Sequence, residues 1–265
     1  MNLMGIMKIL KRGHEGPAQK APILSWPFVL KKKERVNFMH IPDGFLDAKT
    51  VITTAAISAY AIKNDVEKAR RNLGDRDIPV LGVMAAFIFA AQMVNFPVMA
   101  GTSGHLLGAA LATILLGPYS AGLIMATVLI VQSLFFQDGG LLALGANIFN
   151  MAVVAPLAAY YIYVTIKRYI RFSGADTLAT FTASWFSVVV AAVFTSLELA
   201  LSGTVPFKIV ILPMAMVHAA IGIGEGLITT VAVAYIGRVL NLKAGFGIKN
   251  SVEPAIDVDG GGRVN

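Results

Sequence analysis

Long apolar stretches dominate the chain from residue 80 onward, separated by short runs of glycine, proline and charged residues. A helix needs about 20 apolar residues to cross a bilayer core, within a range of about 17–25. Residues 80–99, 120–136, 146–166, 183–201 and 209–236 meet that length. The last contains Pro213, His218 and Glu225, so the pattern predicts a helix that tilts, kinks or lies partly outside the core. Two shorter stretches, residues 51–62 and 106–116, read as interfacial, re-entrant or short crossing segments. Alanines recur at four-residue spacing in Ala55/Ala59 and Ala86/Ala90, which lets helices in lipid pack closely.

The basic residues decide how the short stretches are counted, because cytoplasmic loops carry the excess of Lys and Arg. If both short stretches cross, one side receives residues 63–79, 117–119, 167–174 and the tail from Arg238, with twelve basic residues. The other side then holds only Lys49 and Lys208. A single crossing over residues 106–136 would instead put the clusters at 63–79 and 167–174 on opposite faces. The expected fold is therefore all-α: a polytopic membrane protein of about seven transmembrane helices, with Met39 outside and the C-terminus inside.

Composition narrows the function. Apolar residues make up 56% of the 265 positions and charged residues 14%, against about a quarter in soluble domains. Ordinary soluble enzymes and disordered chains are excluded. Cysteine is absent, which removes disulfides, thiolate metal sites and thiol catalysis. Of the net charge of +7, residues 1–38 carry +6, from eight basic and two acidic residues. The basicity belongs to that extension and implies no nucleic-acid face. Three segments follow: the extension at 1–38, a membrane domain at 39–240 and a cytoplasmic tail at 241–265.

On the outer face those eight basic residues would violate the charge rule. The segment is also a poor signal peptide, since Pro22 and Pro27 interrupt its apolar run and Lys31–Lys33 follow. Two readings remain. Either it is a disordered cytoplasmic tail and residues 51–62 do not cross, or the translated chain starts at Met39; the second is preferred.

Few side chains can carry chemistry. Outside the extension the histidines are His40, His105 and His218. His40 lies in Met39-His-Ile-Pro-Asp-Gly-Phe-Leu and His105 in Gly101-Thr-Ser-Gly-His-Leu, both on the outer side of the seven-helix scheme. Each read alone is as readily a hydrogen-bonded packing histidine; together, beside glycines that permit unusual dihedrals, they read as two imidazoles presented to one cavity. His218 and Glu225, two helical turns apart on one face, read as a buried structural pair or as part of a pathway, the first being preferred. A third cluster places Asp138 in an outer loop and Asn147 and Asn150 at the start of the next helix, in supporting roles. No lysine follows a glycine, so the chain has no P-loop; HExxH and GxSxG are also missing. ATP-driven work would need another subunit.

Taken together, Met39-His-Ile-Pro-Asp-Gly-Phe-Leu, Gly101-Thr-Ser-Gly-His-Leu-Leu-Gly, Leu115-Leu-Gly-Pro, Gln137-Asp-Gly-Gly-Leu and Gly145-Ala-Asn-Ile-Phe-Asn-Met resemble the CbiM/NikM family over residues 39 to about 240. These are substrate-specific (S) subunits of cobalt and nickel energy-coupling factor transporters. The resemblance implies a multi-pass protein of the cell membrane that captures Ni²⁺ or Co²⁺ as cargo, with no permanent cofactor and no enzymatic activity of its own. It implies a transmembrane coupling (T) subunit, two ATP-binding-cassette ATPase subunits and a small accessory membrane subunit as partners. Cobalt would serve cobalamin biosynthesis and nickel the nickel enzymes; Pro42-Asp43 leans toward nickel. By the same resemblance one ion is held by the Met39 amine, the backbone nitrogen and imidazole of His40, and the imidazole of His105. Asp43, Thr102, Ser103, Asp138, Asn147 and Asn150 would support them. Nitrogen ligands suit Ni(II) and Co(II) and serve magnesium and calcium poorly. With residues 1–38 attached, the Met39 nitrogen is a peptide amide, which is the chemical reason for preferring Met39 as the start. A membrane-embedded metal-dependent enzyme using His40, His105, His218 and Glu225 is the alternative.

Overall fold

The computed structural model describes residues 40–74, 77–97 and 103–239. Met39, Thr102, the 1–38 extension and the 241–265 tail lie outside the described residues.

Helix α1, Ala48–Asn72, begins where Asp47 accepts a hydrogen bond from the Thr50 N–H at 3.0 Å, a side-chain cap on the first turn. It runs ten residues past the apolar stretch and ends with Arg70 and Arg71, cations suited to a helix C-terminus. Helix α2, Ile78–Gln92, takes Pro79 in its first turn, where no N–H is needed.

The sequence pattern predicts one crossing over residues 80–99, and the structure corrects it. The helix stops at Gln92, and strand β1, Asn95–Pro97, pairs antiparallel with strand β2, Ser103–His105. Pro97 keeps the helix from continuing through the end of the run: it lacks the N–H and biases Phe96 toward extended backbone. The pairing sets Asn95 opposite His105.

Helix α3, Ala109–Leu116, follows at once, and only Gly117, at φ 83°, separates it from α4, Pro118–Phe135. Eight residues rise about 12 Å, far short of a core about 30 Å thick. Residues 109–114 are nonetheless all buried, and the stretch before them is non-helical. Such irregular backbone at membrane depth is tolerated when protein surrounds it.

Helices α5, Leu144–Ile148, and α6, Ala155–Tyr169, are joined by a π-helical turn at Phe149–Val154. Pro156 gives the cause. Its missing N–H would otherwise bond Ala152, and its ring would strike that carbonyl, so the turn widens. Helices α7, Ala175–Leu201, and α8, Phe207–Val239, complete the described chain. Pro213 sits in the second turn of α8 without ending it.

Among the described residues four helical stretches are long and apolar enough to cross a membrane: Pro118–Phe135, Leu144–Tyr169, Ala175–Leu201 and Phe207–Arg238. The molecule is a polytopic all-α membrane protein. Its main core gathers around α3 and α4, where Ala109, Ala112, Ala121, Met125, Ala152 and Ala155 are buried. Alanine at these contacts lets helix axes approach, the productive choice where apolar burial gives no drive. Large apolar side chains such as Phe135, Leu201, Leu212 and Val231 face outward, as lipid contact requires.

Candidate metal centre

His40 begins the described chain and is held down by its neighbours. The Asn147 side chain clasps the next residue: its Oδ1 accepts from Ile41 N–H at 3.0 Å and its Nδ2 donates to Ile41 C=O at 3.1 Å. The outer loop then folds over this segment. Gly140 N–H donates to Ile41 C=O at 2.9 Å, and Asp43 accepts from the N–H groups of Leu141, Leu142 and Ala143. Two glycines make the approach possible. A Cβ on Gly139, at φ 88°, would lie 2.9 Å from His40 Cβ, and one on Gly140 would lie 2.0 Å from Asp43 Oδ1.

A chain of amides fixes the His40 tautomer. Leu107 C=O can only accept, so Gln92 must donate to it through Nε2 at 2.8 Å. Gln92 Oε1 then accepts from Gln132 Nε2 at 2.9 Å, which leaves Gln132 Oε1 to accept from His40 at 2.8 Å. His40 Nε2 is therefore the N–H, and an Asp138 oxygen 3.7 Å away faces the same nitrogen. Burial, outweighing the Gln132 hydrogen bond, lowers the His40 pKa to about 4, so the Asp138 contact orients a neutral ring and is not an ion pair. Nδ1 keeps its lone pair, buried and without a hydrogen-bond partner.

His105 meets His40 edge to face, with ring centroids 4.9 Å apart. Its Nδ1 lies 2.9 Å from Leu106 C=O, which makes Nδ1 the N–H and frees Nε2. Burial first, and then the neighbouring His40, lower its pKa to about 3, offset in part by the Leu106 bond. The loop beyond His105 is gripped from α8. Glu225 accepts from Leu107 N–H at 2.6 Å and Gly108 N–H at 2.9 Å. Glu225 and His218 are thus not a pair with each other, contrary to the sequence expectation.

His218 donates from Nδ1 to Met214 C=O at 2.8 Å and lines the same cavity as His40 and His105. That cavity, of about 60 Å³, also touches Asn147, Asn150, Met151, Thr195 and Met214. Asn150, set by the π-helical turn, donates to Glu198 Oε2 at 2.7 Å and Thr195 Oγ1 at 3.2 Å.

Of the residues expected from the sequence, the structure brings His40, His105, Asp43, Asp138, Asn147 and Asn150 together around one cavity and its roof. Ser103 supplies backbone to β2, and Met39 and Thr102 lie outside the described residues. Among the described residues no three His, Asp or Glu side chains form a metal cage by themselves. An ion held here would need further donors from the backbone or from beyond His40. Gln92 and Gln132 were missed in the sequence, although polar side chains within apolar helices signal function.

The profile of the CbiM family, described as the cobalt uptake substrate-specific transmembrane region, matches residues 40–241. The cobalt transport protein CbiM of Acetoanaerobium sticklandii is 33% identical over 202 residues, covering 73% of this chain and 82% of that protein. The fused nickel transport protein NikMN of Rhodobacter capsulatus is 32% identical over 215 residues, covering 76% of this chain and 62% of its own length. A protein of Archaeoglobus fulgidus named as a fused nickel transport protein NikMN is 42% identical over 204 residues; the match covers 75% of this chain and 65% of that one. The chain thus spans under two thirds of the fused relatives. A crystal structure of a transition metal transporter superposes with a TM-score of 0.71 at 30% identity, covering 81% of this chain and 98% of that one. With the opening motif from His40 onward, the histidine loop and the membrane helices all inside the matched region, the chain belongs to the CbiM family.

Proposed function

We propose that the chain is the metal-capturing membrane subunit of a Ni²⁺ or Co²⁺ uptake transporter in the cell membrane, energised by ATP hydrolysis on partner subunits. A transmembrane coupling protein, two ATPase subunits and a small accessory membrane subunit would complete it. The relatives named as cobalt and nickel transport proteins support the cargo.

The observation that carries the site is the forced His40 tautomer. A lone pair on Nδ1 is the one that can chelate an ion together with the same residue's own backbone nitrogen, closing a six-membered ring. Gln132 and Asp138 hold the opposite ring edge, the usual support for a metal-binding imidazole. His40 Nδ1, the His40 backbone nitrogen, the Met39 amine and His105 Nε2 then give a nitrogen set suited to Ni(II) and usable by Co(II). This requires a mature chain that begins at Met39, with the metal domain at 39–240 facing outward at that end.

The enzyme alternative needs His218 on the shared cavity, which the structure provides, and a general base at the metal. Glu225 does not line that cavity, and both its oxygens are taken by backbone N–H groups. Transport is the better reading.

The test is equilibrium Ni²⁺ and Co²⁺ binding to purified chain beginning at Met39. His40→Ala and His105→Ala should each abolish high-affinity binding with the helices intact, and one residue added before Met39 should weaken it. Wild-type affinity in His105→Ala would refute the site.

A further inference from the structure

The structure offers a third imidazole that the ligand set above does not use. His218 is 8% exposed, inside an otherwise apolar stretch of α8, and its ring faces the cavity shared with His40 and His105. A packing role explains it poorly. Burying an imidazole carries a desolvation cost that an apolar side chain of similar size would avoid. The Met214 carbonyl, one turn earlier, takes the Nδ1 proton and so fixes the tautomer with a lone pair on Nε2. Metal-binding histidines carry this arrangement almost without exception, one nitrogen on an oxygen acceptor and the other free. All three imidazoles of the cavity set one nitrogen on an oxygen acceptor, and His40 Nδ1 is buried without a hydrogen-bond partner.

Proximity is independent of tautomer. His218 lines the same cavity as His40 and His105, although the three come from segments far apart in the chain. The cavity walls beside it include the side chains of Met151 and Met214, both buried. Its helix is also mechanically tied to the outer site, because Glu225 on α8 holds the two residues that follow Leu106 after His105. A displacement of α8 relative to α3 would carry the third imidazole and the His105 loop together.

We propose that His218 is a third metal ligand of this cavity, receiving the cargo ion through Nε2 as it leaves His40 and His105. The inference rests on the metal-uptake reading. The step is a ligand exchange: a bond from the ion to His218 forms while one to a backbone nitrogen breaks, and that nitrogen takes back a proton. The ion keeps its charge.

Co²⁺ alone is a sufficient probe, with the chain and its variants purified in detergent from the native host. His218→Asn is the informative substitution, since the amide can still donate to Met214 C=O but offers no lone pair in place of Nε2. His105→Ala should retain weakened Co²⁺ binding, and X-ray absorption should count two imidazoles on the ion. Adding His218→Asn should lower that residual affinity at least tenfold and leave one imidazole. Circular dichroism of both variants should match the parent; if His218→Asn loses helix, the imidazole count in His105→Ala alone still decides. Residual binding that shows one imidazole, or is indifferent to His218→Asn, overturns the proposal while leaving metal uptake standing. No binding of either Co²⁺ or Ni²⁺ by the unsubstituted chain overturns both.

Discussion

Asn147→Leu separates a residue that shapes the site from one that binds the ion. The wild-type amide makes two buried hydrogen bonds to the Ile41 backbone, at 3.0 and 3.1 Å. Leucine keeps the size and removes both. Ile41 C=O still has Gly140 N–H, 2.9 Å away, so the sharp loss falls on Ile41 N–H, which has no other partner among the described residues. A lost hydrogen bond costs about 1 kcal/mol and a stranded buried N–H about 1–3 kcal/mol, so the clasp contributes about 2–3 kcal/mol. Most of that acts on the residue next to His40, where a chelate geometry has to be held. If loading requires the clasped backbone, metal affinity should fall roughly 30- to 150-fold, the equivalent of about 2–3 kcal/mol.

The assay is competition of the purified protein with a chelator for Ni²⁺, with helix content followed in parallel. Asn147→Asp sharpens it. A carboxylate can accept from Ile41 N–H but repels Ile41 C=O, so a clasp is damaged, whereas a metal-ligating position would keep or gain affinity from the added charge. Affinity within twofold of wild type in Asn147→Leu, or tighter binding in Asn147→Asp, would refute the argument.

Two further outcomes are expected. His40 and His105 have folded pKa values lowered to about 4 and about 3 from 6.5, so their contribution is full above pH 6.5 and declines as acid approaches the folded values. Between pH 6.5 and 5 each costs on the order of 2 kcal/mol of metal-free stability, at about 1.4 kcal/mol per unit. Thermal melting of the metal-free protein should therefore lose more stability between pH 6.5 and 5 than a His40→Ala/His105→Ala chain does; equal slopes would contradict it. The second compares two glycines. Gly140→Ala has to displace Asp43, whose backbone nitrogen would lie 2.3 Å from the new Cβ, and should lower both melting temperature and Ni²⁺ affinity. Gly82→Ala meets nothing within 4 Å in the middle of α2 and should raise stability by up to about 1 kcal/mol. Indistinguishable melting of the two variants would count against the loop packing described.

The long apolar helices were legible because lipid demands a length, and length is visible in a sequence. Where hydropathy failed, a local rule overrode it. Residues 80–99 are apolar throughout enough to read as one helix, yet Pro97 turns the end of the run into a strand paired beside His105. Asn147 and Asp43 were readable as support, since short polar side chains beside glycines commonly bond backbone. Their targets were not, because Ile41 lies 106 residues from Asn147 and only the fold brings them together. His218 shows the limit most clearly. Its seven-residue spacing from Glu225 put both on one helix face and invited a pairing. In the folded chain each finds a different partner from a distant segment or its own preceding turn.

On the proposed reading, selectivity is a problem in charge before it is one of geometry. A divalent ion in a small, mostly apolar cavity loses hydration worth far more than any single neutral ligand returns. Among the described residues the cavity lining contains imidazoles, amides, a hydroxyl and methionines but no carboxylate. Asp138 stands behind His40, on the ring edge away from the lone pair, and so acts through the imidazole. An oxygen-seeking ion such as Mg²⁺ or Ca²⁺ therefore meets neither its preferred donors nor a direct countercharge. Ni²⁺ and Co²⁺ form stronger bonds to nitrogen, and a backbone amide that gives up its proton to the ion supplies the missing negative charge. That route is open only where an amide nitrogen and an imidazole lone pair belong to the same residue and face the same way. The glutamine relay from Leu107 to His40 keeps the lone pair on Nδ1, the half of that condition the side chain controls, and on the proposed reading this would give Gln92 and Gln132 a share in selectivity without touching the ion.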